Sequence, residues 1–172
     1  MRPISLFIAT SLDGYIARPD GRLDWLYTDA DYGYKTFFES VDTLLVGRKT
    51  YEIALNFGEY PYPGKRVIVF SRTLKNSGRH DVEIVSMDPV AMVRYLKAEK
   101  FGGKIWLAGG ADIIRQLLEE DLVDELVLST HPLLLGDGIP LFPPLKQPLY
   151  WTTERSETYP SGLIQITLTR KR

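Results

Sequence analysis

The chain has 172 residues, 44% hydrophobic and 25% charged, with a formal net charge of −1. That composition fits one globular domain with a full core, and it lacks the basic excess that nucleic-acid binding requires. It contains no cysteine and only two histidines, His80 and His131, so disulfides, thiolate chemistry and cysteine-based metal sites are excluded and no metal is expected.

The spacing predicts a first strand over Ile4 to Thr10, starting too early for a signal-peptide apolar region. No apolar run approaches membrane-spanning length, so the expected location is the cytoplasm. A loop follows from Ser11 to Gly21, with Asp20-Gly21 as a turn signal. Asp31 to Ser40 reads as a helix with Phe37, Phe38 and Val41 towards the core. Thr43 to Val46 reads as a strand and Thr50 to Asn56 as a short helix. A Pro-rich loop, Pro61 to Lys65, leads into a strand over Arg66 to Phe70, and Val82 to Val85 forms another. Asp88 then caps a helix with Pro89 at its first position and Val90, Val93, Leu96 and Ala98 on its apolar face. Lys104 to Ala108 is a strand, Ala111 to Glu120 a helix carrying Ile113, Ile114, Leu117 and Leu118, and Glu125 to Thr130 a strand. Trp151 to Thr158 and Leu163 to Thr169 alternate in polarity around Pro160-Ser161-Gly162, the pattern of a hairpin. With no repeat or linker, residues 1–172 read as a single α/β domain. Its expected form is three layers, with a mostly parallel central sheet and an antiparallel C-terminal hairpin.

Three turns at strand ends stand out: Gly47-Arg48-Lys49-Thr50, Ser71-Arg72-Thr73 and Gly109-Gly110-Ala111-Asp112. The first and third open helical segments, whose unpaired N–H groups and partial positive charge attract phosphate. Two of the turns add arginine, which grips phosphate with a fork of donors. Taken singly, Gly47 also suits a plain tight turn, Ser71-Arg72 a solvated one, and Gly109-Gly110 close packing of helix on strand. Taken together, the turns suit one long ligand with several phosphates.

These residues, in this order, resemble the dihydrofolate reductase superfamily, more closely the branch related to the C-terminal reductase domain of bifunctional riboflavin-biosynthesis proteins. The resemblance spans nearly the whole chain. It rests on Ser11-Leu12-Asp13-Gly14-Tyr15-Ile16-Ala17, Asp24-Trp25, Leu45-Val46-Gly47-Arg48-Lys49-Thr50-Tyr51-Glu52, Ser71-Arg72, Leu107-Ala108-Gly109-Gly110 and Pro132-Leu133-Leu134-Leu135-Gly136-Asp137-Gly138. The dinucleotide fingerprint Gly-x-Gly-x-x-Gly is absent.

The resemblance implies an NADPH-dependent reductase acting on a C=N or C=O bond of a heterocycle, such as a ribosylaminopyrimidine phosphate or dihydrofolate. NADPH would lie against Gly47, Arg48, Lys49 and Thr50, with its pyrophosphate across Gly109, Gly110, Ala111 and Asp112. Its 2′-phosphate would meet Ser71 and Arg72, a pair that suits a dianion better than a ribose hydroxyl. Ala9, Thr10 and Ile16 would flank the nicotinamide, the small Ala9 leaving its backbone open to the carboxamide. Trp25, Tyr51 and Ser129 fall near the expected substrate pocket, though each also suits a core. Asp13 either touches substrate or organises its own loop. Asp31, with Asp29 beside it, is either a proton source for the reduced nitrogen or a helix cap. The Pro132–Gly138 loop is typical of the riboflavin branch, whose members imply a homodimer. The alternative is a non-catalytic NADPH-binding or sensor protein that kept the cradle without turnover.

Overall fold

A computed structural model describes residues 1–172. In chain order it contains β1 (Ile4–Ser11), β2 (Tyr15–Ala17), α1 (Tyr34–Ser40), β3 (Val41–Gly47), α2 (Arg48–Leu55), β4 (Arg66–Phe70), β5 (Val82–Val85) and α3 (Pro89–Ala98). There follow β6 (Lys104–Gly109), α4 (Ala111–Glu119), β7 (Glu125–His131), β8 (Ile139–Pro140), β9 (Trp151–Thr158) and β10 (Ile164–Arg170). Eight strands form one sheet in the order β5-β4-β3-β6-β1-β7-β10-β9, and β2 pairs separately with β8. The sheet is parallel from β5 to β7, and β10 and β9 add antiparallel to it.

The parallel strands read as continuous apolar runs because both faces are covered. Leu44, Leu45 and Val46 of β3 are fully buried, with alternate residues entering opposite cores. One core holds α3 and α4 against Leu45, Ile68, Leu107, Ile4 and Leu6. The other holds α1 and α2 against Leu44, Val46, Val67, Val69 and Trp106. The three-layer α/β architecture is therefore as the alternation of elements implies. Asp88 caps α3 by accepting the Ala91 N–H at 2.9 Å, with Pro89 in the first turn.

Local differences have local causes. Asp31 lies outside α1, because Tyr32 and Gly33 take φ of 52° and 75° and hold the chain in a turn until Tyr34. Val41 belongs to β3 rather than to a helix face. On α3, Met92 is buried and Ala98 is exposed, reversing the expectation for Ala98. The short strands β2 and β8 are too brief to carry a period, and they exist only because they find each other across the loop.

Strand order positions the site. β3 and β6 are neighbours, yet α2 leaves β3 on one face towards β4 while α4 leaves β6 on the other towards β7. Adjacent strands whose helices diverge to opposite faces make a topological switch point, with a crevice at their carboxyl ends. The crevice widens because β1 pairs with β6 only at Ile4↔Ile105 and Ser5↔Trp106, whereas its pairing with β7 runs to Ser11↔His131. Truncating Leu107→Ala, in the core under that crevice, is expected to cost about 2–5 kcal/mol by urea unfolding. A loss below about 1 kcal/mol would contradict the packing assigned to it.

Candidate active site

The switch point opens into a groove of about 1250 Å³, more than a single drug-sized ligand needs. One part of it is built from the two helix starts. Val46 is in register with Gly109, so α2 and α4 begin side by side. A Cβ on Gly47 would lie 3.3 Å from Ile113 Cδ1 and 3.4 Å from Gly110 N, and one on Gly110 would lie 3.3 Å from Thr50 Oγ1. Gly109 sits at φ 128°, which a side-chain-bearing residue rarely adopts. Neither N-cap glycine offers a side-chain acceptor, so the first-turn N–H groups of both helices are left for a ligand.

Ser71 and Arg72 lie on the same groove at the end of β4. Ser71 Oγ accepts the N–H groups of Thr73 at 3.2 Å and Leu74 at 2.8 Å, so its own hydrogen remains free to donate. Arg48 is neutralised by Glu52 at 2.9 Å, whereas Lys49 and Arg72 have no ion-pair partner. The Asp112 carboxylate is turned along α4, accepting from Arg115 at 3.0 Å and Gln116 at 2.7 Å, so what it offers a ligand is its backbone N–H. Val85, Ser86 and Met87 extend this wall. They were missed in the sequence, although they lie at the carboxyl end of the next parallel strand, where ligands of such sheets bind.

The other half of the groove is apolar. It is lined by Ile8, Ala9, Ile16, Leu23, Leu26, Ile53 and Ile139, with Ile16 and Ile139 brought together by β2 and β8. The Phe7 carbonyl accepts the Trp106 indole N–H at 3.1 Å on the β6 side. Ala9 is in phase with Phe7, so its N–H and C=O face the same side, where β6 no longer pairs with β1. The opening therefore presents one backbone donor and one acceptor.

The groove thus gathers Ala9, Ile16, Gly47, Arg48, Lys49, Thr50, Ser71, Arg72, Gly109, Gly110, Ala111 and Asp112. The remaining candidates lie elsewhere. Thr10 is buried and donates to the Ser11 carbonyl at 2.9 Å. Asp13 accepts the Ser11 hydroxyl and the N–H groups of Leu135 and Gly136, fastening its loop to the 132–138 loop. The Ser11 hydroxyl, followed by those N–H groups, holds its carboxyl below the ordinary range. Tyr51 is 2% exposed in the core with its hydroxyl unpartnered. Ser129 is buried and accepts from Gln165 at 2.8 Å. Asp31 is exposed and accepts the Lys35 N–H at 3.2 Å at the start of α1. Asp29 faces a second cavity of about 400 Å³, which shares only Leu26 with the groove, and accepts the Tyr32 hydroxyl at 2.5 Å.

Trp25 is buried, edge-on to His131 with ring centroids 5.0 Å apart. His131 accepts the Tyr27 N–H on Nε2 at 3.2 Å, which leaves the proton on Nδ1 facing the Ser129 carbonyl at 3.3 Å. A neutral imidazole therefore pins residues 25–27, including the groove wall Leu26, to β7. This role left no sequence signal, because its partners are backbone atoms.

Fold and groove together define an α/β protein of dihydrofolate-reductase-like class, with a crevice of backbone donors opening onto an apolar chamber. The chain belongs to the RibD C-terminal domain family, matched over residues 2–165. It is similar to the solved structure named "Putative riboflavin biosynthesis protein" from Shewanella sp. PV-4, 39% identical over 100% of both chains with a TM-score of 0.88. It is also similar to the uncharacterized protein YwjB of Bacillus subtilis, 39% identical over 145 residues covering 82% of this chain and 83% of that protein. A third relative, named "Putative dihydrofolate reductase", is from Caenorhabditis elegans and is 31% identical over 139 residues, covering 75% of this chain and 71% of its own.

Burial pushes the His131 imidazole below its ordinary value of 6.5. The stability supplied by the neutral ring is thus complete above that value and is lost as the pH falls from there towards the folded-state value. In urea series from about pH 7.5 to 5, the advantage of the wild type over His131→Gln is expected to shrink with acid. A constant gap would remove the assignment. Asp31→Ala is expected to leave ligand binding and turnover unchanged while costing about 0.5–1 kcal/mol of stability, since the Lys35 N–H loses its side-chain acceptor. A large loss of turnover would restore Asp31 as a catalytic acid.

Proposed function

We propose that the protein is an NADPH-dependent reductase that delivers hydride to a C=N or C=O carbon of a flat heterocyclic compound. The observation that carries this reading is the convergence, on one groove, of two abutting helix starts, the Ser71-Arg72 donors and the open backbone edge of Ala9. Membership of the RibD C-terminal domain family supports it.

The residues fit NADPH. The first-turn N–H groups of α2 and α4, with Lys49, would hold the pyrophosphate. The free Ser71 hydroxyl hydrogen and the unpaired Arg72 guanidinium would hold a 2′-phosphate. Phe70, Val85 and Met87 would flank the adenine, and the N–H and C=O of Ala9 would meet the carboxamide. Bound NADPH supplies the hydride. The chain's contribution is to fix orientation and to exclude water with Ile8, Ile16, Leu26 and Ile139 around the end of β1. The same reading extends to a homodimer, as the resemblance implies, with the cytoplasm as its location.

Calorimetric titration with NADPH, and separately with NADH, tests the reading directly. Tight NADPH binding with weak NADH binding is expected, and binding of neither would remove its foundation. Arg72→Ala should weaken NADPH binding by about 1.5–3 kcal/mol, roughly 10–100-fold, and leave NADH binding unchanged. Equal losses for both would refute the 2′-phosphate assignment.

A further inference from the structure

The groove divides sharply by charge. Both unpaired cations, Lys49 and Arg72, belong to the turns at the ends of β3 and β4. Beyond them, towards Ala9, every charged lining residue is already satisfied. Glu52 is held by Arg48 at 2.9 Å, and Asp20 is held by the Arg22 guanidinium at 2.6 Å and its N–H at 3.1 Å. The walls there are Ile8, Ile16, Leu23, Leu26, Ile53 and Ile139, and the one neutral amide is Asn56. An anionic substituent against these aliphatic walls would lose part of its water and meet no cation that is not already paired, which disfavours it. A flat, uncharged ring would bury apolar surface on both faces at no such cost.

From this we infer that the acceptor is an uncharged, planar ketone or imine with an apolar body, carrying neither phosphate nor carboxylates. The inference rests on the NADPH-reductase reading and narrows its substrate class. No carboxylic acid of the protein lies free in the chamber, so the proton comes from water. Hydride from NADPH adds to the carbonyl or imine carbon, the π pair moves to oxygen or nitrogen, and water protonates that atom. The products are the alcohol or amine, NADP⁺ and hydroxide. The two compounds that the resemblance implies, a ribosylaminopyrimidine phosphate and dihydrofolate, carry charges for which this half of the groove has no unpaired partner.

The NADPH titration comes first, since its failure would defeat the reductase reading rather than this one. With NADPH bound, initial rates of its oxidation are compared for isatin, a flat uncharged heterocyclic ketone, and for isatin-5-sulfonate, which differs by one anionic group. Isatin is expected to have the higher kcat/KM by about tenfold or more, mainly through KM. Leu23→Lys should narrow or reverse that preference, chiefly by lowering KM for the sulfonate. Should neither compound be reduced, the comparison is read as displacement of the uncharged dye Nile red from the NADP⁺-loaded protein, where isatin should again outcompete its sulfonate. Equal or better performance by the sulfonate overturns the inference. So do failure of isatin to displace the dye and efficient turnover of the phosphorylated ribosylaminopyrimidine.

Discussion

The pairing of β3 with β6 is the constraint on which the site depends. These strands are separated in the chain by two strands and two helices, yet Val46 lies in register with Gly109. Parallel pairing aligns their carboxyl ends, and the helices that follow diverge to opposite faces. Two helix N-termini are thereby set against each other with glycine at both caps. A larger residue at either would press on Ile113 or Thr50 and force the helix starts apart. The donors that the groove presents thus come mainly from backbone geometry, with Lys49 and Arg72 adding charge.

The two ends of the sheet are finished differently. At the amino ends, Arg2 is 5% exposed and binds Asp42, Glu99, Thr43 and the Gly103 carbonyl. Lys97 binds Asp124, whose other oxygen meets Arg172. These networks tie strand starts to α3 and to the C-terminus, and removing one partner would strand a buried charge. At the carboxyl ends no such network spans β3 and β6. The opening survives because β1 separates from β6 beyond Trp106, whose indole occupies the gap at Phe7.

The apolar chamber is assembled from loops, and loops need ties to hold a wall in place. Asp13 joins the 11–15 turn to the 132–138 loop through backbone N–H groups. His131 joins the 25–27 segment to β7. Ile53 of α2 lies where a side chain on Gly21 would collide, so the 18–21 turn rests on α2. The ionisable groups near the chamber are therefore spent on holding it, which is why it is left lined by aliphatic side chains.

Much of the fold was legible in the sequence because its signals are local. Asp88-Pro89 marks the start of α3, the apolar positions of α4 repeat at helical spacing, and the β9–β10 hairpin shows its alternation and its turn. The three strand-end turns that meet on the groove were legible for the same reason: glycine and arginine directly after a buried strand stand out locally. Asp31 and Tyr51 illustrate the limit. Their types and positions suited a site, but Tyr32 and Gly33 turn the chain away before α1, and the burial of Tyr51 depends on packing against β3 and β4. His131 gave no signal because its partners are main-chain atoms, and the segment it pins through the Tyr27 N–H is far away in sequence. The sequence alone therefore determined the class of elements, their order and the chemistry of the strand-end turns, since each depends on residues within a few positions of one another. Strand order, the meeting of the two helix starts and the uncharged character of the chamber were decided only by the tertiary structure, because each depends on which distant segments end up as neighbours.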